Sequence, residues 1–129
     1  MTRSLCLIVI SPIIAAVLIG GFFSPAWAET ASYYTYDSCV REGTSGVWTA
    51  SGERFDENAL TAAMWGVPFG TRVKVTNLEN NMSIIVTIND RGPSKKLVRR
   101  GRVIDLSRGA FEKIADLKEG VIKIKVEVI

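Results

Sequence analysis

The densest chemistry in this sequence lies in Ile88-Asn89-Asp90-Arg91-Gly92-Pro93. An alternating apolar segment, Ser83 to Ile88, delivers a carboxylate, a guanidinium, a glycine and a proline into one tight turn. A carboxylic acid at a strand end, in a turn whose Gly-Pro step limits backbone freedom, can present a proton in a fixed place. The same residues also suit an ordinary turn, so the rest of the chain has to decide. The chain has no histidine. Ser-His and Cys-His nucleophilic chemistry is therefore excluded, and a zinc site of the usual nitrogen and sulfur ligands very nearly so. Acid–base work falls to carboxylates, Lys or Tyr, with no metal and no cofactor expected.

Positioning these groups is the task of the segment after Ala28. Residues Met1 to Ala28 carry a single basic residue, Arg3, run apolar from Leu5 to Phe23 and end in Ala26-Trp27-Ala28. That is the pattern of a secretory signal peptide, which predicts export to the periplasm, the cell envelope or the exterior. The apolar run is also long enough to span a bilayer, so a retained anchor is the alternative. Pro12, the Gly20-Gly21 pair and the small-x-small exit favour cleavage, after which no membrane contact is expected. The remaining 101 residues, 29–129, suit one domain. They keep 15 basic and 13 acidic residues, a net charge of +2. Cys39 is their only cysteine, so no intramolecular disulfide can form; burial as an inert thiol is expected.

The patterning is mostly β. Tyr33 to Tyr36 favours a strand, and Asp37 to Gly46 reads as a loop. Thr49 to Glu53 is a turn, and Asn58 to Met64 reads as a short helix begun by Asp56. Arg72 to Thr76 and Met82 to Ile88 alternate with period two across a turn at Asn77 to Asn81. Val103-Ile104 leads into Asp105-Leu106-Ser107. Ser107 then N-caps a helix with Ala110, Phe111, Ile114 and Ala115 on one face. In Val121 to Val128 the residues Ile122, Ile124, Val126 and Val128 should point inward. A slip by one residue would bury two lysines and a glutamate, at several kcal/mol. Many short strands and two short helices predict an all-β fold closed into a small barrel.

Six ordered motifs carry a resemblance over this whole segment. They are Ala31-Ser32-Tyr33-Tyr34, Thr49 to Phe55, Leu60-Thr61-Ala62-Ala63, Val75-Thr76-Asn77-Leu78, Asn89 to Pro93 and Ile104-Asp105-Leu106-Ser107. The chain resembles the rare lipoprotein A family of bacterial septal-ring lytic transglycosylases, whose double-psi β-barrel also occurs in expansins, barwin and certain endoglucanases. The resemblance implies a six-stranded double-psi β-barrel with small inserted helices over 29–129. It also implies action on peptidoglycan glycan strands, especially strands stripped of stem peptides. The chain departs from the family in its loop from Asp37 to Gly46, which is longer than the resemblance leads one to expect, and at position 64. The histidine that usually follows Leu-Thr-Ala-Ala, counted as catalytic, is here Met64.

A lytic transglycosylase uses no water: the sugar's own C6 hydroxyl attacks the anomeric carbon and leaves a 1,6-anhydro ring. One carboxylic acid can protonate the departing oxygen and then accept the hydroxyl proton. Asp90 matches the family's catalytic aspartate and is the candidate acid; Arg91 would oppose that role if it paired with it. Asp105 is the second catalytic candidate, with helix capping as its alternative. Glu53 matches a family glutamate and would bind sugar hydroxyls or tune Asp90, unless it is a solvated turn residue. Thr49 and Arg91 are further substrate contacts, and Tyr33, Tyr34, Trp48 and Trp65 are either stacking platforms or core. The basic run Lys95, Lys96, Arg99, Arg100 and Arg102 either meets anionic wall polymer or is a solvated loop; nucleic acid is a poor third reading. The expectation is that Asp90, Glu53 and Asp105 converge on one groove. Two rival functions stay open: a non-catalytic, expansin-like wall-binding or loosening module, and a hydrolase using Asp90 and Asp105 as a pair.

Overall fold

Period-two alternation is what closes this chain on itself. The computed structural model describes residues 29–41 and 48–129, so the leader reading and the 42–46 part of the expected loop lie outside the described residues. Six strands form a closed barrel: β1 (Thr30–Tyr34), β2 (Thr61–Met64), β3 (Arg72–Asn77), β4 (Ser83–Asp90), β5 (Arg102–Ser107) and β6 (Ile122–Val128). Around the barrel they run β1-β5-β2-β4-β3-β6 and back to β1. The β1–β5 and β2–β4 pairs are parallel and the other four antiparallel.

Valines and isoleucines at alternate positions fill the interior: Val73 and Val75 from β3, Val86 and Ile88 from β4, Ile122 and Ile124 from β6. Lys74, Lys123 and Lys125 on the alternate positions face water. The inward set of β6 is shorter than the alternation predicts. Val126 is half-buried, and Val128, the last residue of the strand, is 62% exposed although its register partner Val73 is fully buried. Asn77 is buried at the end of β3, and its side chain is satisfied: Nδ2 donates to Ile114 O (2.8 Å) and Oδ1 accepts from Glu79 N (3.0 Å).

Helix α3 (Arg108–Ile114) closes one side of the core with Ala110, Phe111 and Ile114, and Ser107 caps it by accepting from Ala110 N (3.2 Å). The expected loop after Tyr36 begins instead as helix α1 (Tyr36–Arg41). Its start is fastened by reciprocal Thr35–Ser38 bonds, and Glu57 Oε1 accepts from Tyr36 N. Asn58 to Met64 is not a helix. Asp56 caps only a turn, accepting from Asn58 N (2.9 Å), and Thr61 to Met64 form β2. Ala62 and Ala63 favour helix locally, but here they hydrogen-bond between β4 and β5, and tertiary pairing overrides propensity. Helix α2 (Lys95–Arg99) occupies most of the basic run.

The Asp56–Ala59 turn lies against the start of α3, where Gly109 N donates to Glu57 O (2.7 Å). A Cβ at Gly109 would meet the Asn58 backbone at 2.8–3.0 Å. Gly109→Ala is expected to cost about 1–3 kcal/mol and to lower the melting temperature by several degrees, measurable by thermal denaturation.

Candidate functional site

The site begins with a one-residue mismatch between two strands. Ala62 of β2 pairs with Ile88, but Ala63 pairs with Asp90, leaving Asn89 as an extra residue on β4. In a regular strand Asp90 would share the face of Ile88, which is fully buried in the core. The extra residue turns Asp90 to the outer face instead, as bulges beside functional groups commonly do. On its other side Ala63 pairs with Asp105 of β5. A methyl group thus stands between two carboxylate-bearing positions.

The turn at residues 49–53 docks on this edge. Ala50 N donates to Asp90 Oδ1 (2.9 Å), Arg91 N donates to the same oxygen (2.8 Å), and Ser51 N donates to Asn89 O (3.2 Å). Among the described residues both hydrogen bonds to the Asp90 carboxylate fall on Oδ1. Thr49 is buried and closes its own turn, bonding Ser51 Oγ (2.9 Å) and Glu53 O (3.1 Å), so it offers no face to a ligand. Glu53 is exposed, reached by Ser51 Oγ at 3.4 Å. It lines a shallow pocket of about 270 Å³ with Ser51, Phe69 and the β4 residues Thr87 to Asn89. Glu53 and Asp90 are therefore on neighbouring ground, and Asp105 lies across Ala63 from Asp90.

The two aspartates differ in their partners. Asp105 Oδ1 accepts from Arg102 Nε (2.9 Å) in a partly buried ion pair, and Ser107 alone caps α3. Arg91 does not pair with Asp90. Its Nη1 donates to Met64 O (2.9 Å), and its guanidinium lies 4.0 Å from the centre of the Phe69 ring. Met64 is half-buried and packs on the core, adding no titratable group.

The aromatic candidates separate. Tyr33 lies on the core face of β1 with Ala31; its ring meets Phe111 at 4.8 Å and its hydroxyl donates to Leu117 O. It is therefore not brought to the carboxylates. Tyr34 is, stacked on Phe55 at 4.6 Å. Alternation carried the signal: Ala31 shares a face with Tyr33, and polar Ser32 shares one with Tyr34 and, by register, with Asp105. The Tyr34 hydroxyl is buried with no hydrogen-bond partner among the described residues. Burial first, then the fields of Asp90, Cys39 and Asp105, push its phenol well above the ordinary range. Cys39 itself is half-buried and in no disulfide. Trp48 is 53% exposed, and Trp65 donates its indole N–H to Pro93 O (2.7 Å). Among the described residues no cluster of His, Cys, Asp or Glu has the arrangement of a metal site, and no helix is long and apolar enough to cross a membrane.

A phenol raised in the folded state stabilises the fold fully below its unfolded pKa of about 10 and loses that contribution as pH rises further. Tyr34→Phe is expected to shift the alkaline unfolding midpoint upward. It should also remove the tyrosinate absorbance that appears only as the chain unfolds. At neutral pH, deleting an unpartnered buried hydroxyl should be neutral or stabilise by up to about 1 kcal/mol, measurable by denaturant titration.

Comparison with known proteins fits this geometry. Residues 28–126 match the family described as lytic transglycolase. A Nostoc sp. protein named as a probable endolytic peptidoglycan transglycosylase RlpA is 50% identical over 88 residues, which are 68% of this chain and 23% of that protein. The chain thus spans less than a quarter of that relative's length. Among solved structures, the Streptomyces papain inhibitor superposes with a TM-score of 0.59 at 27% identity, over 79% of this chain and 92% of that one. An expansin of Clavibacter michiganensis in complex with cellohexaose gives a TM-score of 0.57 at 17% identity, over 79% and 49%, and shows the shared fold. The closed barrel, the outward Asp90 and the match along nearly all of the described residues agree: the chain belongs to the lytic transglycolase family of rare lipoprotein A-like double-psi β-barrels.

Proposed function

We propose that this protein is exported to the cell envelope and cuts peptidoglycan glycan strands as an endolytic transglycosylase, with Asp90 as its acid and base. The observation that carries this reading is the unequal state of the two aspartates. Asp105 is held by Arg102, whereas Asp90 is held only through Oδ1 by two backbone N–H groups, which leaves Oδ2 to meet a ligand. A hydrolase of the common kind needs two working carboxylates, and intramolecular attack needs one. Protonated Asp90 gives its proton to the departing glycosidic oxygen as the C6 hydroxyl closes on the anomeric carbon. The resulting carboxylate takes the hydroxyl proton, and the acid is restored. Asp105 acts as an ion-paired positioning residue, and Glu53 meets sugar hydroxyls from its pocket wall. The names of the relatives, which specify peptidoglycan transglycosylase, support the same substrate.

A second reading, a wall-binding module without turnover, is favoured by Met64, which cannot transfer a proton where the family usually has histidine. It also fits the near full-length likeness to a protein named as an inhibitor.

Mass spectrometry of peptide-free glycan strands incubated with the purified protein separates the readings. The expected products carry 1,6-anhydro ends, and Asp90→Asn should lower their rate by about 10²–10⁴ or more while strand binding survives. Reducing ends that have gained water would identify a hydrolase. No products, with retained pelleting on sacculi, would establish the binding module.

A further inference from the structure

Between Arg91 and Arg102 the chain carries six cations, Arg91, Lys95, Lys96, Arg99, Arg100 and Arg102, and no acidic residue. Two of them make side-chain hydrogen bonds: Arg102 with Asp105, and Arg91 with Met64 O, its guanidinium also lying over the Phe69 ring. The other four, on and just after α2, are exposed, and no carboxylate among the described residues forms an ion pair with them. Elsewhere Arg108 and Lys125 sit beside Glu57, Glu112 and Glu127. Lys74, Lys113, Lys118 and Lys123 are also exposed and form no ion pair among the described residues, but they are spread over different elements rather than crowded together. Four cations crowded on and beside one short helix repel one another, an arrangement that an anionic ligand relieves.

Their position relative to Asp90 is set by a continuous wall. The Glu53 pocket ends at Phe69; Arg91 covers Phe69; Trp65 is tied to Pro93; and Lys95 Nζ lies 5.0 Å from the centre of the Trp65 ring. Phe69 and Trp65 are 41% and 39% exposed, so a strand passing from Asp90 towards α2 crosses two partly exposed rings, each with a cation already lying over it. Aromatic rings followed by cations suit a polymer of sugar rings bearing carboxylates better than a flexible phosphodiester chain, which has no ring to lay on them.

Resting on the reading that this surface meets wall glycan, we propose that Lys95, Lys96, Arg99 and Arg100 form a subsite for the carboxylates of a glycan strand leaving the cleft. On strands freed of peptide, each muramic lactyl ether ends in such a carboxylate. The subsite makes affinity depend on strand charge and on salt, because exposed cations act over about one Debye length, roughly 10 Å at 0.1 M ionic strength.

The test uses the full chain with Asp90→Asn, so that no strand is cut during titration, and fluorescently labelled peptide-free strands read by anisotropy. Neutralising the four residues together (Lys95→Gln, Lys96→Gln, Arg99→Gln, Arg100→Gln) should weaken binding about tenfold at low salt and flatten its salt dependence. Amidating the strand carboxylates should cause the same loss with the cations present and little further loss without them, as coupled partners require. Equal weakening by a control that neutralises Lys74, Lys113, Lys118 and Lys123 would overturn the proposal in favour of net charge. Amidated strands that bind as tightly as native ones would overturn it, and so would a polyglycerol phosphate chain that binds equally well. Strands cleaved by the unsubstituted protein but indifferent to the four cations would sink this subsite alone. Cation-dependent binding without cleavage would sink the catalytic reading alone.

Discussion

The arrangement around Asp90 depends on one register shift, the extra residue Asn89 between paired strands β2 and β4. A β-strand alternates without exception, so a core strand carrying Ile88 inward would carry Asp90 inward as well, at the cost of burying a charge. The additional residue breaks the alternation once, at the strand's end, and the hydrogen bonds that hold Asp90 are built around the break. Asn89 itself is buried with an unpartnered Oδ1 among the described residues, and its carbonyl anchors the 49–53 turn through Ser51. That turn then supplies Ala50 N–H to Asp90. The same residue that disrupts the ladder thus positions the segment that holds the half-buried carboxylate.

Ala63 makes the rest possible by being small. It pairs with Asp90 on one side and Asp105 on the other, and a Cβ added at Gly92 would stand 3.6 Å from its methyl group. Ala63 is itself buried, so a larger side chain there would have to displace the neighbours that hold the two carboxylate-bearing positions. The two acids are kept in different states by their own neighbours: a guanidinium on Asp105, and two peptide N–H groups on Asp90.

Much of this was legible in the residues, for identifiable reasons. Strands β3, β4 and β6 and helix α3 announce themselves because water and core impose opposite demands on alternate positions, and the Ser107 cap follows from its hydroxyl. The motifs around Asp90 and Asp105 disclosed the barrel by resemblance. Thr61 to Met64 misled because alanines favour helix in isolation, and only their partners on β4 and β5 make them a strand. Tyr33 and Tyr34 are chemically identical, and one face of β1 separates them. The state of Asp90 was beyond reach, since it depends on a peptide N–H forty residues away in sequence, at Ala50. Val128 shows the limit of alternation: the last residue of β6 is exposed although the pattern and its buried partner Val73 would place it inside.

The barrel's first strand is completed by its last. β1 is flanked by β5 and β6, and Glu29 O accepts from Ile124 N (3.0 Å), so residues near the two ends of the described segment meet. No early subset of strands can seal the core, because β1 waits for partners that are synthesised after Gly101. Such non-local pairing makes closure slow compared with local helix or hairpin formation. The order of strands therefore acts as a timer: the barrel cannot close until its final strand arrives, and only then does the core become sealed.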